Sequence, residues 1–84
     1  MKIGVIGGGQ LGRMLAIAAA RLGFKSHIFE PGADCPAGQV ADTVTTAAYT
    51  DAQALKAFAT AVDVITYEFE NIPYKTLNEI RSKT

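Results

Sequence analysis

The chain has 84 residues, 49% of them hydrophobic and 19% charged, with eight basic residues balanced by eight acidic ones. Such a composition belongs to one small globular domain and not to a disordered chain. The balanced charge leaves no electrostatic footprint for nucleic acid or an anionic membrane.

Lys2–Ile6 reads as a buried strand, short, β-branched and ended by glycines. It stands where a secretion signal would carry its apolar core, and no apolar run approaches the roughly 18–20 residues of a membrane span. Gln10–Leu22 is expected to be a helix, with Leu11, Met14, Leu15, Ala18 and Leu22 forming one apolar stripe and Arg13 and Arg21 off it. Gly23 fits a helix stop, and Ser26–Phe29 reads as a second strand closed by Glu30-Pro31-Gly32. A looser region follows from Ala33 to Asp42, where Asp34 and Pro36 suit a short helical turn around Gln39. Thr43–Thr46 is a third strand candidate. Asp51 opens another helix with Leu55, Phe58 and Val62 on one face. Val62–Tyr67 is the fourth strand, and Pro73 starts a last helix carrying Leu77 and Ile80.

This alternation of strands and helices with short links predicts an α/β fold, an open parallel sheet flanked by helices on both faces. It is short of material for finishing such a sheet, so a fragment of a larger enzyme is expected. Cys35 is the single cysteine and His27 the single histidine. An internal disulfide is therefore impossible, which suits a reducing, cytoplasmic compartment. A Cys/His catalytic pair or a metal cluster has little support. Cys35 reads as a free loop thiol and His27 as a strand side chain.

Two stretches carry chemistry. Gly7-Gly8-Gly9-Gln10-Leu11-Gly12 satisfies G-x-G-x-x-G between a strand and a helix. Gly7 allows a tight turn, Gly9 lets a ligand approach the backbone, and Gly12 lets the helix pack closely on the sheet. The amides of Gln10 and Leu11 fall in the first helical turn, where an anionic or hydroxyl-rich ligand can take them. Glu30 ends the second strand, about where a dinucleotide-binding fold places its ribose-binding acid. On these residues alone an NAD(P)-binding domain of a dehydrogenase is a live reading, as is a tight turn with no ligand.

The second stretch is VITYEFENIP, residues 64–73. Parallel strands end at one edge, so Glu68 and Glu70 are expected near the glycine turn if the fourth strand lies beside the first. Alternation sets them opposite Tyr67 and Phe69. Two carboxylates facing a set of N–H donors suit a ligand with an anionic or polyol end and an amine end. A dinucleotide has no particular need of them.

Together, IGGGQLGRML and VITYEFENIP resemble the N-terminal domain of the 5-(carboxyamino)imidazole ribonucleotide synthase family, ATP-grasp enzymes of purine biosynthesis. EPGADCPAGQVAD and the Tyr49–Asp51 lead into the next helix support the resemblance, which runs over essentially all 84 residues. It implies a Rossmann-like pre-ATP-grasp domain over residues 1–84, the substrate-binding portion of a three-domain cytoplasmic ligase that acts as a homodimer. The family joins bicarbonate to 5-aminoimidazole ribonucleotide with hydrolysis of ATP. By the same resemblance, ATP and Mg2+ belong to central and C-terminal domains absent here, leaving this chain without cofactor, metal ligands or catalytic residue of its own.

The resemblance also implies roles. Gly9, Gln10 and Leu11 meet the ribonucleotide, mostly through backbone N–H groups. Glu30 suits the ribose hydroxyls, and Glu68 lies nearest the exocyclic amine of the aminoimidazole, with Glu70 and Asn71 in support. A related glycinamide ribonucleotide transformylase favours Glu at the position of Gln10, which speaks against that relative. Residues that clamp the ligand phosphate are expected beyond Thr84, with Arg13 a solvent-facing helix residue. A nucleotide-sensing module without catalysis is a third reading of the same crevice.

Overall fold

The computed structural model describes residues 1–67. The elements are β1 (Lys2–Ile6), α1 (Gln10–Arg21), β2 (Lys25–Phe29), a single 3-10 turn (Ala37–Gln39), β3 (Thr43–Thr45), α2 (Ala52–Ala61) and β4 (Val64–Tyr67). The expected helix after Pro73 lies outside the described residues.

All four strands run parallel in the order β3-β2-β1-β4. The chain therefore builds β2 and β3 on one side of β1 and then crosses through α2 to the other side. That reversal places a topological switch point between β1 and β4, at the carboxyl ends of the strands, where open α/β sheets bind ligands. The register sets Ile6 against Phe29 on one side and Tyr67 on the other. Reciprocal bonds pin the opposite end of the β1–β4 pair. Lys2 N–H donates to Asp63 Oδ2 at 2.7 Å, and Asp63 N–H donates to the Lys2 carbonyl at 2.8 Å.

Each face of the sheet has its own core. Ile6, Phe29, Leu55, Phe58, Val62 and Ile65 pack together beneath α2. Val5, Ile28, Cys35 and Ala37 form the other cluster, on the side of α1 and the 3-10 turn. Gly4 is what lets α2 sit so close, since a Cβ there would fall 2.7 Å from Phe58 Cζ. Asp51 starts α2 as foreseen, its Oδ1 accepting the Ala54 N–H at 3.0 Å in an N-cap. Leu55, Phe58 and Val62 are buried on one face, as their spacing predicts.

Two expectations need correction. The buried face of α1 is Gly12, Ala16 and Ala19. The larger apolar residues of the expected stripe, Leu11, Met14, Leu15 and Leu22, are exposed, Met14 at 65% and Leu22 at 71%. A helix lying directly on a sheet selects the residues that allow close approach, and here those are the smallest. The hydrophobic stripe lies roughly a third of a turn away at about 100° per residue. The second correction is at Val62, which caps α2 and packs under it, so that β4 begins only at Val64. Burial, not strand pairing, accounts for that valine.

Candidate functional site

The carboxyl ends of β1 and β2 meet at the glycine turn. Gly7 has φ 108°, a left-handed conformation that L side chains rarely adopt, and its N–H donates to the Phe29 carbonyl at 2.9 Å. Gly8 is held from both sides. Its N–H donates to Glu30 Oε1 at 3.1 Å, and its carbonyl accepts the Ala37 N–H at 2.9 Å. A Cβ on Gly8 would lie 2.6 Å from both Cys35 Sγ and Glu30 Cγ. Gly9 is the N-cap of α1 and brings no capping side chain of its own; its carbonyl accepts the Arg13 N–H at 3.0 Å. Gln10 and Leu11 form the start of the first turn and are exposed. The helix offers their amides no carbonyl four residues back, so they are donors available to a ligand.

Glu30 is half-buried beside this turn. Its second oxygen, Oε2, accepts the Gly32 N–H at 2.6 Å. The carboxylate thus ties the β1–α1 turn to the loop after β2. The 3-10 turn adds the other wall. Cys35 is 9% exposed against Gly8, Ala37 is fully buried, and Arg13 Nη1 donates to Gln39 Oε1 at 2.8 Å. Arg13 is therefore half-buried and tied to the loop, where a solvent-facing residue was expected. Asp34 turns the loop with φ 55°. A cavity of about 390 Å³ lined by Asp34, Cys35, Gly38, Gln39 and Val44 adjoins the turn.

Gly9, Gln10, Leu11 and Glu30, singled out in the sequence, are thus brought to one edge. Glu68, Glu70 and Asn71 lie outside the described residues. Tyr67, the last described residue, pairs with Ile6 immediately before the glycines. Sequence reasoning missed Gly32, Ala37 and Gln39, which hold the turn or its wall. The Glu30-Pro31-Gly32 turn signal was the available clue for Gly32. The short helical turn expected around Gln39 is present as Ala37–Gln39, but its contact with the glycine turn and α1 left no clue.

His27 stands apart from the turn, in the middle of β2 and 6% exposed. Its Nε2 lies 2.7 Å from Thr45 Oγ1, and its ring meets Phe58 edge-on with centroids 4.9 Å apart. Nδ1 is buried with no hydrogen-bond partner among the described residues. Burial, and secondarily the positive charge of Lys2, hold its pKa below the ordinary 6.5. Among the described residues no three His, Cys, Asp or Glu side chains are placed to hold a metal ion. No described helix is long and apolar enough to cross a membrane.

Residues 1–84 match the family model of the ribonucleotide synthetase preATP-grasp domain. The chain is 59% identical over 78 residues to the N5-carboxyaminoimidazole ribonucleotide synthase of Brucella melitensis, covering 93% of this chain and 22% of that protein. It is 49% identical over 79 residues to the Bacillus subtilis protein of the same name, covering 94% of this chain and 21% of the relative. Among solved structures it resembles N5-carboxyaminoimidazole synthetase from Staphylococcus aureus complexed with ADP. There the TM-score is 0.91 at 45% identity, over 98% of this chain and 22% of the other. The chain therefore spans about a fifth of the length of the proteins it matches.

Proposed function

The chain belongs to the ribonucleotide synthetase preATP-grasp domain family, and on that premise we propose that it is the substrate-binding part of an ATP-dependent ligase. The parent carboxylates 5-aminoimidazole ribonucleotide with bicarbonate, giving N5-carboxyaminoimidazole ribonucleotide in purine biosynthesis. The observation that carries this reading is the glycine turn taken together with the family match, which names the ligand that the turn alone does not. The turn presents first-turn amide donors at the switch point, in a chain matched along 93% of its length by a synthase of that name.

In this reading the backbone at Gly9, Gln10 and Leu11 meets the ribonucleotide, mostly through N–H groups aided by the positive end of the α1 dipole, while its phosphate is clamped by residues beyond this chain. Glu30 accepts from ribose hydroxyls. An ionised carboxylate has about four acceptor sites, and two N–H groups occupy only part of that capacity. Glu68, next in sequence after Tyr67, accepts from the exocyclic amine and orients it, with Glu70 and Asn71 in support. The work of these residues is binding and orientation.

ATP and Mg2+ belong to the domains beyond this chain, and no step through either is assigned to the residues here. The S. aureus structure with ADP supports nucleotide use by such relatives. A cytoplasmic parent rests on the family's place in purine biosynthesis. Its homodimeric state rests on the family resemblance alone. The dehydrogenase reading, built on G-x-G-x-x-G and Glu30, loses ground because the named relatives matching most of this chain are synthases.

Adding 5-aminoimidazole ribonucleotide to the 15N-labelled chain should shift the amides of Gln10, Leu11 and Glu68, while NAD leaves them in place. A response to NAD alone would return the turn to the dinucleotide reading.

A further inference from the structure

We infer that Glu30 is a positioning residue as well as a ligand contact: its carboxylate presets the glycine turn before any ligand arrives. The inference builds on the reading of this turn as a ribonucleotide cradle. One oxygen takes the Gly8 N–H at 3.1 Å and the other takes the Gly32 N–H at 2.6 Å. Two backbone segments 22 residues apart or more in sequence are thereby fixed to one planar group. Only an acceptor at both ends can do this. A carboxylate offers two, whereas the isosteric amide offers one acceptor and turns its NH2 donors against the other N–H.

What the carboxylate fixes matters for binding. Gly8 has no freedom to move inward, because Cys35 Sγ, Cys35 Cβ and Glu30 Cγ already fill the space where a Cβ would go. Its carbonyl is held from the far side by Ala37 N–H at 2.9 Å. Gly8 is thus clamped on its amide, its carbonyl and its open face, and the next residue is the N-cap of α1. The direction of the Gln10 and Leu11 amides follows from where Gly8 is held. Without Glu30 the turn keeps the Gly7–Phe29 and Ala37–Gly8 bonds but loses the one that fixes the Gly8 peptide plane. A cradle that must be ordered by its ligand binds more weakly than one already in place.

Ligand-free 15N spectra of the 84-residue chain and its Glu30→Gln variant test the inference. The Gly8 and Gly32 amides should move, and the displacement should continue through Gly9, Gln10 and Leu11 while the α2 amides stay in place. In the full-length enzyme the same substitution should raise KM for 5-aminoimidazole ribonucleotide by about tenfold or more, the scale of a charge-assisted hydrogen bond, with kcat changed far less. Should Glu30→Gln fail to fold, Glu30→Asp keeps the charge but shortens the reach by one methylene, and the same amides should move. Wild-type positions for Gly9, Gln10 and Leu11 in the folded variant would overturn the positioning role, as would an unchanged KM. Because the spectra are taken without ligand, a failure of the wild-type chain to respond to the ribonucleotide would remove the cradle reading separately.

Discussion

Gly7 and Gly8 are neighbours with different reasons to be glycine. Gly7 has φ 108°, so its constraint is conformational. Gly8 is constrained by space, with Cys35 and Glu30 atoms 2.6 Å from any added Cβ. Gly8→Ala should therefore cost about 1–3 kcal/mol, as overpacking does, and should weaken ribonucleotide binding with it. Gly38→Ala meets its nearest neighbour, Cys35 Sγ, at 3.1 Å and should cost less. Thermal denaturation of the two variants, side by side, checks the order. The G-x-G-x-x-G pattern marks the turn but cannot separate these two causes, because Cys35 and Glu30 approach Gly8 only once β2 and its loop are folded beside it. His27 makes a second residue-scale case. Its folded pKa lies below the ordinary 6.5 through burial and then Lys2, so the unfolded chain binds its proton first as pH falls. Its contribution is fully present above about pH 6.5 and is lost between there and the lower folded value. Denaturant midpoints should fall on acidification through that window, and His27→Gln should flatten this part of the profile. An equal slope in the variant would show that other groups carry it.

The helices show how far pattern reading reaches. For α2 the periodic apolar positions and the buried ones agree, because Leu55, Phe58 and Val62 fill a gap that only large side chains can fill. For α1 they disagree. Gly12, Ala16 and Ala19 are the contact, and hydrophobicity alone ranks them below Leu11, Met14 and Leu15. The third glycine of the motif was the clue, since it predicts close helix–sheet packing at Gly12. Extending that clue one turn along the helix leads to Ala16. Met14→Gln should accordingly change stability by about 0.5 kcal/mol or less, whereas Ala16→Leu should cost about 1–3 kcal/mol. Chemical denaturation distinguishes the two, and a larger loss from Met14→Gln would mean that the exposed face is packed after all. Strand limits were readable to within two residues, since Gly, Pro and Asp punctuate most of them. Val62 fits both patterns in the sequence, the α2 face and the start of the strand; the structure keeps the first and starts β4 only at Val64.

At the scale of the whole molecule, the parallel sheet follows from element order, whereas the fourth strand's place beside the first was only a condition in the sequence and is given by the order β3-β2-β1-β4. The site is legible to the extent that it is local. Gly9, Gln10 and Leu11 are contiguous, and Glu30 closes the adjacent strand. The walls are legible only as local turns, at Gly32 and around Gln39; that Gly32, Ala37 and Gln39 reach Glu30, the glycine turn or the start of α1 depends on loop conformation that no periodicity encodes. Gln10 and Leu11 can bind an anionic group, but their backbone donors do not name it. The family, not the turn, points to a ribonucleotide. The most direct test is ADP release by the full-length parent enzyme with ATP and bicarbonate, in the presence and absence of 5-aminoimidazole ribonucleotide. Release that depends strongly on the ribonucleotide is the expected result and makes the glycine turn part of a substrate site. No ADP release under either condition would contradict the ligase reading and make NAD binding the next measurement.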